Sequence, residues 1–212
     1  MPLVTLPAAT PAAAEAVLLP RHEGEQPLPL ARLSVATYLQ MLATGCWGDQ
    51  APELLGGVLL EEQVPADAPY VYLVETLSDL IDERLPDGWY SREEKSFELP
   101  ESVVAPDLAI VRGSRRDYAQ RLPRGENAAV LIEVAVTSQA RDRRKAAYYA
   151  EAGVPQYVLV DVAARAVTQY QQPTPEGYEQ IAGVDAIELT IDEQPLSPIV
   201  VADLFAALPT TS

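Results

Sequence analysis

Apolar and polar positions follow two kinds of pattern along the chain, and together they predict its secondary structure. In segments 33–45 and 70–85 the apolar residues recur every three or four positions, which is the spacing of a helix with one buried face. Further helices are predicted over residues 138–152 and 201–208. Ser34 is a suitable N-cap for the first helix, and Gly153 stands where the third would end.

Shorter apolar runs bounded by Gly and Pro predict strands. The predicted strands cover residues 53–64, entered through Gly56 and Gly57, then 96–99, 107–112, 129–136 and 156–161, with a hairpin around the sequence PTPEG at 173–177. The Arg-rich segment 113–127 is predicted as a loop. Because one strand–helix–strand unit occurs within a series of strands, the predicted class is α/β with a mixed β-sheet flanked by helices.

Length and terminal composition predict one domain with two tails. Residues 1–28 are rich in Ala and Pro without sustained periodicity, so we expect a disordered N-terminal extension. Residues 29–208 are predicted to form a single domain, and residues 209–212 a C-terminal tail. No apolar run approaches the roughly 18 residues of a membrane helix, and no basic segment precedes the first apolar residues. We therefore expect a cytoplasmic protein with no membrane partner.

Composition excludes several kinds of site. The 212 residues contain one cysteine, Cys46, and one histidine, His22. A disulfide framework, a thiolate zinc site, a multi-histidine metal site and a histidine-centred triad are therefore excluded. Any chemistry must depend on carboxylates, lysine and hydroxyl groups.

Charge is distributed unevenly along the chain. The net charge of −16 argues against general affinity for nucleic acid. Between Arg112 and Lys145, however, nine basic residues stand against four acidic ones, a local excess of five positive charges. Such a segment could hold a phosphate chain on an otherwise acidic body, although solvated arginines in a loop and on a helix would give the same pattern.

One carboxylate, Glu133, stands inside an apolar strand with the sequence VLIEVAV. A buried carboxylate is costly unless it is paired or binds a metal ion. Asp107 begins another predicted strand, and on neighbouring strands the two carboxylates could converge on Mg²⁺, which otherwise binds water and phosphate oxygens. Two alternatives stay open: Asp107 as a turn residue, and a buried salt bridge between Glu133 and Lys145.

Asp142 and Lys145 are three residues apart and therefore share one face of the predicted third helix. A divalent cation, a nearby ammonium group and a phosphate would together suit metal-assisted phosphodiester hydrolysis. Asp142 is equally compatible with a solvated ion pair to a neighbouring arginine.

At these residues the sequence resembles a known family. Pro106-Asp107, Glu133-Val134 and the sequence RDRRKAAYYAEAGVPQYVLVD follow in the order found in the Uma2 endonucleases (DUF820), a branch of the PD-(D/E)xK restriction-endonuclease-like superfamily. The upstream sequences LSVATYLQML and ELLGGVLL resemble that family's opening helix and its Glu-Leu strand. The resemblance covers roughly residues 33–208 and implies a restriction-endonuclease-like core.

The resemblance implies a role for each site residue. Asp107, Glu133 and the backbone carbonyl of Val134 would bind Mg²⁺ or Mn²⁺. Lys145 would supply the lysine that the superfamily normally has two residues after the glutamate, where this chain has Ala135. The auxiliary acids would be Glu53 and Asp142, and Glu53 is also compatible with a structural role. Contacts to DNA are expected from Arg112, Arg141 and Arg144, and a homodimer is expected by analogy with nucleases that cut two strands.

Two positions depart from the family's pattern. Tyr70 stands where the family usually has a histidine, and Gln156-Tyr157-Val158 stands in place of Glu-Tyr-Trp.

The site residues and the resemblance together predict a divalent-metal-dependent DNA endonuclease. The alternative is a catalytically inactive binding or regulatory module with the same fold, which would act through a protein partner.

Overall fold

The structure is a computed structural model that describes three stretches of the chain: residues 31–48, 51–61 and 67–209. The predicted extension, residues 1–28, lies outside the described residues, as do residues 210–212 of the predicted tail and residues 62–64 of the predicted strand 53–64.

Four α-helices are interspersed among runs of strands in the described part of the chain. The helices are α1 (Val35–Ala43), α2 (Ala68–Asp82), α3 (Gln139–Glu151) and α4 (Val201–Leu204), with 3-10 helices at Arg115–Tyr118 and Gly125–Asn127. The strands are β1 (Glu53–Leu55), β2 (Val58–Leu60), β3 (Trp89–Glu93), β4 (Phe97–Leu99), β5 (Ser102–Val104), β6 (Leu108–Arg112), β7 (Ala128–Ala135), β8 (Gln156–Asp161), β9 (Ala166–Thr174), β10 (Gly177–Ala182), β11 (Ala186–Ile187), β12 (Thr190–Ile191), β13 (Gln194–Pro195) and β14 (Ile199–Val200).

A mixed sheet of six strands, in the order β10-β9-β8-β7-β6-β3, lies at the centre of the fold. β7 and β8 are parallel, and the remaining neighbours in this sheet are antiparallel. A parallel pair needs a long crossover connection, which α3 supplies between β7 and β8. All eight residues of β7 are buried, in agreement with its central place in the sheet.

Two apolar clusters cover the two faces of this sheet. On one face α2 packs with α4 and the C-terminal ribbons, through residues such as Leu73, Leu77 and Ile199. On the other face α3 packs beside a second sheet of four strands, ordered β2-β1-β5-β4. A third cluster joins α1 to the small sheet, with Tyr38 packed near Leu54.

Several sequence predictions for these elements are confirmed. Ser34 caps α1 by accepting a hydrogen bond from the backbone N–H of Thr37 at 3.1 Å. Gly153 has a φ of +70°, the left-handed conformation that commonly ends a helix, just after α3. The α/β class, with a mixed sheet flanked by helices, is also confirmed.

Other predictions were wrong in detail. The predicted strand 53–64 is a hairpin of β1 and β2, because Gly56 and Gly57 both adopt positive φ and reverse the chain. Strands β3 and β5 were missed, as were the four two-residue strands β11 to β14. The predicted loop 113–127 contains two 3-10 helices, and the predicted helix 201–208 is regular only over its first four residues.

Candidate metal and catalytic site

The register of β6 and β7 brings the two predicted metal carboxylates together. Leu108 pairs with Ile132 in the antiparallel ladder, so Asp107, one residue earlier, lies opposite Glu133. Because alternate residues of a strand share a face, both side chains belong to the face that α3 covers. The condition set for convergence of the two carboxylates, that their strands be neighbours, is therefore met.

The Asp107 carboxylate is anchored on both oxygens. Its Oδ2 accepts a hydrogen bond from the backbone N–H of Val134 at 2.6 Å, and its Oδ1 accepts one from the hydroxyl of Tyr70 at 2.7 Å. The first contact ties the start of β6 to β7, and the second ties it to the first turn of α2. Asp107 is half-buried, so its carboxylate lies at the mouth of the site.

Lys145 reaches back from α3 to Glu133. Its Nζ donates a hydrogen bond to Glu133 Oε1 at 2.9 Å, and the Tyr149 hydroxyl donates to the same oxygen at 2.8 Å. Glu133 is 3% exposed and Lys145 is 1% exposed. The helix spacing of four residues places Lys145 and Tyr149 on one face of α3, directly over the carboxylate.

Glu53 joins the same cluster from the small sheet. Lys145 Nζ donates to Glu53 Oε1 at 3.0 Å, and the backbone N–H of Ala105 donates to the same oxygen at 2.8 Å. Asp142 completes the set, with its Oδ1 4.0 Å from Lys145 Nζ. The structure therefore brings together all five side chains predicted for the metal, catalytic and auxiliary roles.

Burial changes the ionisation of these groups. Desolvation raises the pKa of Asp107 to about 6, although the Val134 N–H, the Tyr70 hydroxyl and Lys145 act in the opposite direction. Desolvation also raises the pKa of Glu133 above its ordinary value, against the effect of Lys145. For Lys145, burial lowers the pKa, but Glu133, Glu53 and Asp142 together outweigh it, so the pKa lies above its ordinary value and the amine stays charged.

The cluster holds more negative than positive charge. Glu53, Asp107, Glu133 and Asp142 lie near two cations, Lys145 and Arg141, so the formal charge is −2 when all six groups are ionised. Two buried carboxylate oxygens accept no hydrogen bond but lie within ion-pair distance of a cation: Glu53 Oε2 is 3.0 Å from Lys145 Nζ, and Asp142 Oδ1 is 3.5 Å from Arg141 Nε. The excess negative charge is a feature that a divalent cation would neutralise.

No group of three or more carboxylate, histidine or cysteine side chains within residues 31–48, 51–61 and 67–209 is arranged to hold a metal ion by itself. A hard cation at this site would therefore depend on Asp107 and Glu133, with backbone, water or phosphate oxygens as its other ligands. That donor set fits Mg²⁺, which commonly binds through one or two carboxylates.

Comparison with known proteins assigns the fold to a family. A model of the Uma2 family, described as "Putative restriction endonuclease", matches residues 35–201. The chain belongs to the Uma2 family. The match contains every residue of the cluster, and it confirms the resemblance found in the sequence.

A solved structure shares the Uma2 fold. It is described as a putative nuclease belonging to DUF820 from Anabaena variabilis, and it matches with a TM-score of 0.60 and 14% sequence identity, over 74% of this chain and 91% of that chain. The restriction-endonuclease-like core is thereby confirmed as the fold of this Uma2 chain.

A search of curated proteins finds no match. Within the described residues, no helix is both long enough and apolar enough to cross a membrane.

The three arginines predicted to contact DNA are not equally placed in this Uma2 protein. Arg141 lies beside the cluster, with its Nε 3.5 Å from Asp142 Oδ1 and one guanidinium N–H bonded to the Glu61 carbonyl. Arg144 is exposed on α3. Arg112 lies at the far end of β6, five residues from Asp107 and roughly 16 Å away at about 3.3 Å per residue, where it forms an ion pair with Asp192.

Sequence reasoning missed some contacts of the Uma2 cluster. Tyr149 was not among the predicted site residues, but its position four residues after Lys145 was a usable signal for a shared contact to Glu133. Tyr70 was noted only as a departure, and the sequence alone gives no indication that it bonds Asp107. Glu94 Oε1 lies 2.9 Å from the Tyr70 hydroxyl. No sequence pattern indicated that Glu94 belongs near the site.

Proposed function

We propose that this Uma2 protein is an endonuclease that uses Mg²⁺ or Mn²⁺ to hydrolyse phosphodiester bonds in DNA. The observation that carries this proposal is the cluster around Lys145, in which carboxylates from β1, β7 and α3 converge with Asp107, the residue before β6, and give a formal charge of −2 when all the groups are ionised. Membership of a family described as "Putative restriction endonuclease", and the fold shared with a structure described as a "putative nuclease", support it.

Asp107, Glu133 and the backbone carbonyl of Val134 would hold the cation at the ends of β6 and β7. The cation would supply Lewis-acid polarisation of a phosphoryl oxygen and a lower pKa for the attacking water. Both Asp107 oxygens are already fixed by hydrogen bonds. The strands also hold these groups more rigidly than loops would.

Lys145 would contribute the positive charge that offsets charge developing on the phosphate. Its long side chain is held between Glu133 and Glu53, so the ammonium group is oriented without rearrangement of α3. Tyr149 donates to the oxygen of Glu133 that also binds Lys145, which leaves Glu133 Oε2 for the cation. Glu53 and Asp142 would set the charge around Lys145.

Arg141 and Arg144 lie on α3 close to Lys145 and would bind DNA phosphates beside the scissile bond. Arg112 would contact the duplex at a greater distance from the site. Two strands of a duplex require two sites, and a homodimer would supply them. Sedimentation of the purified protein, alone and with a short duplex, tests that assembly.

The test of the proposed function is cleavage of plasmid and short linear DNA by the purified protein with Mg²⁺, Mn²⁺ or EDTA. We expect cleavage with either metal ion, none with EDTA, and a loss of at least about 100-fold in Glu133→Gln and in Lys145→Met. Arg143→Met is a matched control, because Arg143 is an exposed basic residue of the same helix. Full activity in both site variants would refute the assignment.

A second candidate function is favoured by the burial of Lys145. At 1% exposure the ammonium group is fully engaged by Glu133 and Glu53, as in a structural salt bridge. In that case the protein would be a binding or regulatory module that acts through a protein partner. Mn²⁺ should then leave the thermal unfolding midpoint unchanged, whereas an endonuclease should show an increase that disappears in Asp107→Ala.

A further inference from the structure

One tyrosine hydroxyl lies between two carboxylates at the mouth of the site. The Tyr70 hydroxyl oxygen is 2.7 Å from Asp107 Oδ1 and 2.9 Å from Glu94 Oε1. A phenol has a single proton to donate, so the two carboxylates share one donor. Tyr70 itself is buried, at 5% exposure.

The helix that carries Tyr70 is fixed to the neighbouring edge of the sheet. Ser78, two turns further along α2, donates a hydrogen bond to Glu93 at 2.5 Å, and Tyr70 donates toward Glu94. The ring of Tyr70 also belongs to the apolar cluster between α2 and the large sheet. These contacts fix the hydroxyl relative to the sheet before any ligand is present.

Glu94 is held in place by the backbone as well. It follows the last residue of β3, its N–H donates to the Asp107 carbonyl at 3.1 Å, and its φ is +48°. Left-handed backbone is uncommon for a glutamate, and here it directs the chain so that the side chain returns to Tyr70. Both acceptors of the hydroxyl therefore belong to the ends of β3 and β6.

We propose that Tyr70 is the positioning residue of this site: its hydroxyl holds the Asp107 carboxylate in the orientation required to bind a divalent cation. The inference rests on the proposed function. Asp107 has two fixed oxygens, one bonded to the Val134 N–H and one to Tyr70, so losing the Tyr70 contact frees the carboxylate to rotate and weakens the Val134 contact too. Glu94 Oε1, at 2.9 Å, is the second acceptor for the same hydroxyl.

The experiment compares wild type with Tyr70→Phe, which keeps the ring and removes only the hydroxyl. The first measurement is the NMR exchange rate of the Val134 amide hydrogen in metal-free protein, with the Val130 amide in the same strand as an internal reference for global stability. We expect Val134 to exchange roughly tenfold faster in the variant, with Val130 unchanged. Tyr72→Phe is the matched control, since Tyr72 is on the same helix and packs against the same cluster.

Glu94→Gly provides a second variant, and glycine suits the positive φ at this position. In this variant the Tyr70 hydroxyl can donate its hydrogen bond only to Asp107. The Val134 amide should therefore exchange no faster than in wild type. Equal Val134 exchange in wild type and Tyr70→Phe would overturn the proposal, and so would equal acceleration in Tyr70→Phe and Tyr72→Phe.

The second measurement is Mn²⁺ affinity by calorimetry. We expect a loss of roughly tenfold in Tyr70→Phe and none in Tyr72→Phe, as is usual when a partner of a metal ligand is removed. If wild type binds no Mn²⁺, the proposed endonuclease function fails, and the amide exchange still decides whether Tyr70 holds Asp107. If wild type binds Mn²⁺ and Tyr70→Phe binds it equally well, only the positioning role fails.

Discussion

Lys145 is the residue on which the cluster depends for its charge balance. Its ammonium group contacts Glu133 and Glu53 at about hydrogen-bond distance and lies near Asp142. Removing one partner of a buried ion pair leaves an uncompensated charge, which costs more than the pair itself contributes. Lys145 thus has a role in stability that is separate from any role in catalysis.

We expect Lys145→Met to lower the free energy of unfolding by about 3–5 kcal/mol in metal-free protein. Urea unfolding in EDTA measures this, and Arg143→Met, exposed on the same helix, should change it by less than about 0.5 kcal/mol. Added Mn²⁺ should restore part of the loss, because a cation can take over neutralisation of the carboxylates. A cost below about 1 kcal/mol would mean that the buried pair contributes little.

The raised pKa of Asp107 predicts a pH dependence with a defined sign. Its folded-state pKa of about 6 exceeds the ordinary value of 3.8, so the folded protein holds a proton that the unfolded chain has lost. The contribution to stability is present below about pH 4 and is lost as the pH rises through 6. It amounts to at most about 3 kcal/mol, at roughly 1.4 kcal/mol per pKa unit.

Urea unfolding of metal-free protein between pH 4 and pH 8 tests this sign. Relative to wild type, Asp107→Asn should lack the loss of stability between pH 4 and 6, because asparagine does not titrate. An unchanged difference between the two proteins across that range would show that Asp107 ionises normally in the fold.

The sequence indicated the central residues of the site but not their supporting contacts. Glu133 was visible because a carboxylate interrupts an apolar strand, and Lys145 because it shares a helix face with Asp142. The bond from Tyr70 to Asp107 was not visible, since it joins residues 37 positions apart on a helix and a strand. Such contacts depend on how α2 packs on the sheet, which local patterns do not encode.

At the scale of elements, the site depends on short segments that connect the two sheets. The β1–β2 hairpin brings Glu53 to Lys145 across 92 residues of chain. Gly56 in its turn lies so close to Tyr148 on α3 that an added Cβ would be 2.6 Å from the tyrosine hydroxyl. The hairpin and the helix therefore contact each other at two points, one charged and one steric.

The 3-10 helix at Gly125–Asn127 is packed equally tightly against the end of α3. A Cβ at Gly125 would lie 2.3 Å from the backbone oxygen of Ala152, so the helix end or the turn must shift to accommodate it. We expect Gly125→Ala to destabilise the fold by about 1–3 kcal/mol through overpacking. Unfolding in urea measures this cost.

Gly153→Ala is the control for the Gly125 prediction. Gly153 has a positive φ but open space around it, so alanine there costs only the backbone strain of about 1 kcal/mol. If Gly125→Ala costs less than Gly153→Ala, the close approach of the turn to α3 does not constrain the fold.

The elements that sequence patterns missed are those without a strong period of their own. β3 is an edge strand whose residues are mostly half-buried, and β5 is three residues long between turns, so neither shows clear alternation of buried and exposed positions. β7, α3 and β8 were predicted to within one residue at each end, because they are central and strongly patterned. The centre of the large sheet and its β9–β10 hairpin could thus be predicted, and its β3 edge could not.

At the scale of the whole molecule, the chain carries a net charge of −16 although its segment 112–145 is locally basic. Affinity for a DNA duplex should therefore be weak. It should also fall steeply with salt, since each phosphate contact makes the slope of log affinity against log salt concentration more negative by about 0.9. Fluorescence anisotropy with metal-free protein measures it. Arg144→Gln should make this slope less negative by about 0.9, the effect of one lost phosphate contact.

Arg112→Gln serves as the comparison for Arg144→Gln. Arg112 is paired with Asp192, stacks on Trp89 and lies at the far end of β6, so we expect a smaller change in the salt slope. A larger effect at Arg112 than at Arg144 would place the DNA across the opposite end of the sheet from the carboxylates.

The order of the cluster along the chain has a consequence during synthesis. Ribosomes release the N-terminal part of a chain first, so Glu53, Asp107 and Glu133 emerge before Lys145. β7 also waits for β8, its parallel partner, whose last residue is Asp161. A nascent chain shorter than this carries the acids without the amine that balances them. The site is therefore completed only after Asp161 has left the ribosome, and products truncated before β8 lack the assembled centre.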